Sequence, residues 1–161
     1  MQKNSAEQQK STDLLYMKRA LELAQKAASL DEVPVGALIV KNNEIISSAY
    51  NLKEQNVCAT KHAEILAIEE ASEKLGTWRL TDCTLYVSLE PCVMCTGALI
   101  SSRITRVVFA TFDPKGGALG SVLNLSHHPK LNHKIEVSSG LLQEDASSLL
   151  KSFFSKKRKA K

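Results

Sequence analysis

Residues Thr84 to Leu99 read TLYVSLEPCVMCTGAL, and this stretch decides the architecture. Thr84 to Leu89 has the residue types of a short strand. Pro91 suits the first turn of a helix, where its missing N–H is no loss, so a helix is expected from there through Ser101. Arg106 to Ala110 is the next apolar strand. Working outward, the helical stripe Met17, Ala20, Leu21, Ala24 and Ala28 predicts a first helix with Asp13 as its cap. Val35 to Lys41 and Glu44 to Tyr50 are rich in Val and Ile, and Asn42-Asn43 between them is a two-residue hairpin turn. Ala63, Leu66, Ala67 and Ala71 mark a further helix that stops near Gly76. Downstream, Thr111 to Gly120 holds Asp113, Pro114 and three glycines and reads as a surface loop. Lys134 to Val137 is a last strand, Gly140 a turn, and Glu144 to Phe154 a closing helix with Leu149, Leu150, Phe153 and Phe154 facing inward. Strands alternating with helices after an initial hairpin predict an α/β three-layer sandwich: a mixed sheet with helices on both faces.

At 161 residues the chain has the size of one domain. Residues 1–12 read as a loose polar segment, 13–154 as a single domain and 155–161 as a basic tail. With 43% hydrophobic and 24% charged residues, the composition excludes a disordered or fibrous protein. Nothing approaches the ~20 apolar residues of a membrane span, and the first dozen residues lack the apolar centre of a signal peptide, so a reducing, cytoplasmic setting is expected. There, four cysteines suggest metal ligands, nucleophiles or buried small residues rather than disulfides. The net charge of +4, much of it in Lys156 to Lys159, mildly favours an anionic partner.

His62-Ala63-Glu64 and Pro91-Cys92-Val93-Met94-Cys95 carry the chemistry. Cys92 and Cys95, three apart, share one face of a helix, whose N-terminus favours thiolates. Two thiolates and one imidazole neutralise Zn²⁺ and leave a fourth tetrahedral position for water, the mark of a catalytic site. One zinc per chain is expected. Glu64, two residues from His62, can move protons. Residues two apart in mid-helix point to opposite sides, so the pair must lie at the very start of its helix. The C-x-x-C alone also fits a redox pair or a structural site. A redox pair has no need of His62 or Glu64. A closed structural site needs a fourth ligand, from Cys58, Cys83, His127, His128 or His133, and none has an obvious zinc spacing to the pair. Cys83 reads as a buried small residue, Met17 and Met94 as core, and the three histidines as capping or loop residues.

The H-x-E and P-C-x-x-C arrangement matches the cytidine and nucleobase deaminase signature. More specifically, the chain resembles bacterial tRNA-specific adenosine deaminases over nearly its whole length. The resemblance is carried by EVPVGALIV (Glu32 to Val40), Asn51, KHAEILAI (Lys61 to Ile68), TLYVSLEPCVMCTGAL, SRITRVVFA (Ser102 to Ala110) and HHPKLNHKIEV (His127 to Val137). It implies a cytidine deaminase-like fold with a five-stranded sheet, a homodimer, and conversion of the wobble adenosine of a tRNA anticodon loop to inosine. By position it implies that His62, Cys92 and Cys95 hold zinc and that Glu64 shuttles protons. Asn51 and the Ala63 N–H would contact the target base, and Asp113 and Lys115 the neighbouring nucleotides. The plainer readings are that Asn51 is a turn residue and D-P-K-G a surface turn. Two rivals stand beside this one: a deaminase of a free nucleobase, and a zinc-stabilised nucleic-acid binding module without turnover. The carboxylate of Glu64 argues against the last, since a structural site has no use for it.

Overall fold

Among the described residues, 4–160, the computed structural model carries four helices and five strands. In chain order they are α1 (Ser5–Ser29), β1 (Gly36–Lys41), β2 (Glu44–Tyr50), α2 (Ala63–Leu75), β3 (Thr84–Leu89), α3 (Val93–Ser101), β4 (Arg106–Thr111), β5 (Glu136–Ser139) and α4 (Gln143–Lys159). The sheet runs β2-β1-β3-β4-β5, with β1 antiparallel to both neighbours and β3, β4 and β5 parallel. The mixed five-stranded sheet is the one expected. Asn42 and Asn43 both adopt left-handed φ, 51° and 59°, which gives the hairpin turn the twist its strands need.

Alternation along the strands sorts their side chains into two cores. Ala37, Ile39, Leu85, Val87, Val107 and Phe109 pack under α2 and α3, against Ala67, Ala71, Leu99 and Ile100. Leu38, Val40, Tyr86, Val108 and Ala110 face the other way, against Tyr16, Met17, Ala20 and Leu21 of α1 and Ala146 of α4. Each fully buried aliphatic or aromatic side chain contributes about 1.5 to 3 kcal/mol, so the two layers of helices are held mainly by this burial. Cys83 and Met17 are buried as expected, while Met94 is only partly covered.

Several boundaries differ from the sequence reading. Residues 5–12 are helical, since Asn4 caps α1 by accepting from the Ala6 N–H at 3.2 Å; Met1 to Lys3 lie outside the described residues. The loose segment is thus corrected to two exposed helical turns. Pro91 does not open α3: Cys92 is the cap, its carbonyl taking the Thr96 N–H at 2.8 Å. β5 starts two residues late because its pairing with β4 begins at Arg106 and Glu136. The 155–161 tail is helical through Lys159, and Lys161 lies outside the described residues. The inward face expected of α4 is thin: Ala146 is its buried residue, and Phe154 is 43% exposed.

Asp13 is the largest correction. It lies two turns inside α1, not at its cap, and is 6% exposed. Its carboxylate takes two bonds from the Arg106 guanidinium, at 2.8 and 2.7 Å, one from the Tyr86 hydroxyl at 2.6 Å and one from Gln9 at 3.0 Å. Burial by itself would raise this carboxyl, but Arg106, Tyr86 and Gln9 outweigh it and hold it below the usual carboxylate range. Asp13→Asn removes the buried partner of the Arg106 charge and leaves it only the exposed Glu136 carboxylate at 3.9 Å, so a loss of about 3 kcal/mol is expected, since breaking buried pairs costs roughly that much. At this chain length it appears as a fall in Tm of about 6 to 12 °C. A group with a depressed folded pKa stabilises above its unfolded value and stops doing so as pH falls through the folded one. The Tm gap between wild type and variant should therefore be full at neutral pH and narrow below about pH 4. A gap independent of pH would show that packing, not charge, sets the loss.

Candidate metal and catalytic site

The helix starts of α2 and α3 meet beside the C-terminal end of β3. His62 is the cap residue of α2 and Cys92 that of α3, both in extended backbone, so the side chains project beyond their helices. The His62 ring Nδ1 stands 3.7 Å from Cys92 Sγ and 3.5 Å from Cys95 Sγ. Ligand atoms of all three lie within 4.8 Å of one another, and among the described residues they form a group able to hold a metal ion. Hydrogen bonding from Cys95 and His62 holds Cys92 down to about 4, while the same contact and burial push Cys95 up, and Cys92 raises His62. Two sulfurs and an imidazole this close together are a soft donor set that suits zinc.

Glu64 is the second residue of α2, so it escapes the mid-helix geometry that would turn it away from His62. It is 4% exposed, and burial pushes its carboxyl up to about 7. A cavity of about 210 Å³ brings His62, Ala63, Glu64 and Cys92 together with Asn51 and Asp113. Cys95 sits behind it, fully buried. Asn51 is 7% exposed; it donates to the Val33 carbonyl at 3.3 Å and accepts the Lys53 N–H at 3.1 Å. Its turn role is therefore real, and it also lines the cavity. Lys115 is not in the cavity. It lines an adjoining groove of about 610 Å³ with Leu150, Lys151, Phe154 and Arg158, and Asp113 belongs to both spaces. The DPKGGALGS loop is less superficial than expected, since Gly117, Ala118 and Leu119 are buried. His133 stays remote from the group, its ring nitrogen donating to the Ile104 carbonyl at 2.6 Å.

Sequence reasoning missed two buried acids. Glu32, fully buried, accepts the N–H groups of Glu54 at 3.0 Å and Gln55 at 2.7 Å, ordering the loop after Asn51. Glu90, also buried, lines the cavity and binds the loop that carries Asp113. Both lie inside segments already singled out, EVPVGALIV and TLYVSLEPCVMCTGAL, yet neither has a metal or proton-transfer spacing that would mark it. Val33, Val35 and Leu89 supply apolar walls.

What this fold and cavity define is a deaminase, and the model of the MafB19-like deaminase family matches residues 11–158. A tRNA-specific adenosine deaminase of Bacillus subtilis (strain 168) is 51% identical over 149 residues, covering 92% of each chain. One of Aquifex aeolicus is 49% identical over 89% of this chain and 94% of its own. The chain belongs to the family of tRNA-specific adenosine deaminases. A solved structure from studies of A-to-I editing by tRNA:A34 deaminases at the wobble position of transfer RNA superposes with a TM-score of 0.81, at 40% identity, covering 83% of this chain and 97% of that one. A guanine deaminase from Nitrosomonas europaea superposes with a TM-score of 0.71, at 30% identity, covering 86% and 82%.

Proposed function

We propose that this protein deaminates the wobble adenosine of a tRNA anticodon loop to inosine, with one zinc per chain held by His62, Cys92 and Cys95. The observation that carries this reading is that the three ligands cluster at one cavity, lined by His62, Cys92 and the buried Glu64 with Cys95 behind them, and that this cavity shares Asp113 with a groove edged by Lys115, Lys151 and Arg158. When bound by three protein ligands, zinc leaves a coordination position for water and lowers its pKa to about 7, which supplies the nucleophile. Glu64 takes one proton from the attacking water and passes it to the ring nitrogen, then takes the second from the hydroxyl now on C6 and gives it to the departing amine as the C6 carbonyl forms. Oxygen bonds to C6, the bond from C6 to the amine breaks, and ammonia leaves. Asn51 has one amide N–H and one lone pair left after its two backbone bonds, enough to pair with an adenine edge beside the Ala63 N–H. The base must leave its loop to reach the cavity, which suits single-stranded RNA.

The test compares an anticodon stem-loop carrying wobble adenosine with free adenosine, free cytosine and free guanine. Turnover confined to the stem-loop supports the reading, whereas equal turnover of a free base moves the protein to the rival that the guanine deaminase likeness favours. The basic residues divide by position. Lys157 pairs with Asp31 at 2.5 Å, whereas Lys151 and Arg158 line the groove. Each phosphate neutralised on single-stranded RNA contributes a slope of about −0.7 in log K against log salt, so the Lys151→Ala, Arg158→Ala double variant should flatten the slope by about 1.4. Lys157→Ala should leave it nearly unchanged. An unaltered slope in the double variant would remove these two residues from the RNA contact.

The protein is further read as a cytoplasmic homodimer. No helix among the described residues is long and apolar enough to cross a membrane, and the homodimer is the assembly that the resemblance to tRNA-specific adenosine deaminases leads us to expect. Sedimentation of the purified protein would separate dimer from monomer.

A further inference from the structure

Glu90 is a second buried acid at the cavity, and the chemistry above gives it no duty. It is 2% exposed. One carboxylate oxygen accepts the Asp113 N–H at 3.0 Å and the Ser121 hydroxyl; the other accepts the N–H groups of Leu119 at 3.0 Å and Ser121 at 3.1 Å. A carboxylate offers about four lone-pair positions, and this loop fills them with donors alone. The backbone follows the same path. The Ala118 N–H donates to the Pro91 carbonyl at 2.9 Å, the Glu90 N–H to the Thr111 carbonyl at 2.9 Å, and Gly117 forms a bridge with Cys92. Residue 117 has to be glycine for this, because a Cβ there would stand 2.2 Å from the Glu90 carboxyl carbon. The loop of residues 113–121 is thus wrapped around one side chain, and that side chain lies two residues from Cys92.

We propose that Glu90 is a positioning residue for the polynucleotide: its carboxylate sets Asp113 and Lys115 relative to Cys92, and so governs affinity for nucleotides flanking the target rather than the chemical step. This rests on the reading of the protein as an RNA deaminase. Only a group that accepts from every direction can hold four inward-pointing donors. A glutamine of the same shape would turn its own N–H₂ toward backbone N–H groups and push part of the loop away. Asp113 borders both the cavity and the groove, so a displaced loop misplaces the flanking contacts while His62, Glu64 and the two cysteines stay where they are.

The test uses zinc-loaded wild type, Glu90→Gln and the milder Ser121→Ala, which removes one of the four donors. Three quantities are read: kcat and KM on the anticodon stem-loop, zinc content, and hydrogen exchange of the backbone amides. Glu90→Gln should raise KM at least about tenfold with kcat within about threefold, the pattern of lost binding that ground and transition states share. Ser121→Ala should raise KM in the same direction but by less, about threefold. Amides at Asp113, Leu119 and Ser121 should exchange faster, with those of β3 and β4 unchanged and zinc retained. A purely structural role would lower the active fraction, and thus kcat and zinc, without moving KM, and that pattern overturns the proposal. Wild-type KM in Glu90→Gln overturns it as well. If Glu90→Gln does not fold, an unchanged KM in Ser121→Ala counts against it. A wild type inactive on the stem-loop defeats the RNA reading itself, and the positioning role falls with it, a result distinct from failure of the variants alone.

Discussion

Glu64→Gln is expected to abolish nearly all turnover while leaving zinc and fold in place. The side chain is 4% exposed at the start of α2, inside the cavity that holds the metal group, so solvent cannot easily substitute for it as a proton carrier. General acid and base catalysis by a positioned group is typically worth 10² to 10⁴ in rate, and one residue serving at two proton transfers belongs near the top of that range, about a thousandfold or more. Glutamine has almost the same volume and adds no charge, so packing is conserved. It can neither take a proton from water nor return one. Single-turnover rates on the stem-loop, with zinc measured on the same sample, separate the two functions. A variant with full metal and near-normal turnover would mean that another group carries the protons, and Asp113 is the candidate, because Glu90, the other carboxylate lining the cavity, already accepts four donors from its loop.

The second large effect is expected from Cys95→Ser, which should take zinc from about one per chain to a small fraction and turnover with it. Metal sites with only three protein ligands have none to spare, and a serine hydroxyl does not ionise as a thiol does. Cys95 is fully buried against His62 and Cys92, and among the described residues the group able to hold a metal consists of these three alone. Because structural free energy and metal binding are coupled, the Tm of the wild type should also fall when a chelator strips the metal, and Cys95→Ser should show no such response. Cys58→Ser is the control: that thiol bonds Thr60 outside the metal group and the cavity, so zinc and turnover should stay at wild-type levels. Elemental analysis that finds no metal in active wild-type protein would remove the zinc mechanism altogether.

The parts legible in the amino-acid sequence are those whose cause is local. β2 and β3 occupy the residues expected of them, since β-branched and apolar residues at strand spacing need only a sheet to join. Gly76 ends α2 in a left-handed conformation that its missing side chain permits. The clustering of His62, Cys92 and Cys95 was legible for a related reason. Each ligand belongs to a short motif at a helix start, and that position ties His62 to Glu64, and Cys92 to Cys95, before any long-range contact forms.

What the tertiary structure alone decided depends on partners far away in the chain. Asp13 carries the local signature of a helix cap, and only the arrival of Arg106, 93 residues on, makes it a buried ion pair. Glu90 looks like any acid before a proline, until 113–121 folds around it and turns four donors inward. Phe154 carries the apolar signature of a core residue and ends 43% exposed in a groove beside the site, between residues 111–115 and its own helix. Periodicity states which residues could be buried. Which of them are buried, and which charged groups find partners to share that burial, is settled by the desolvation cost in the folded packing, where every unpaired polar group is expensive.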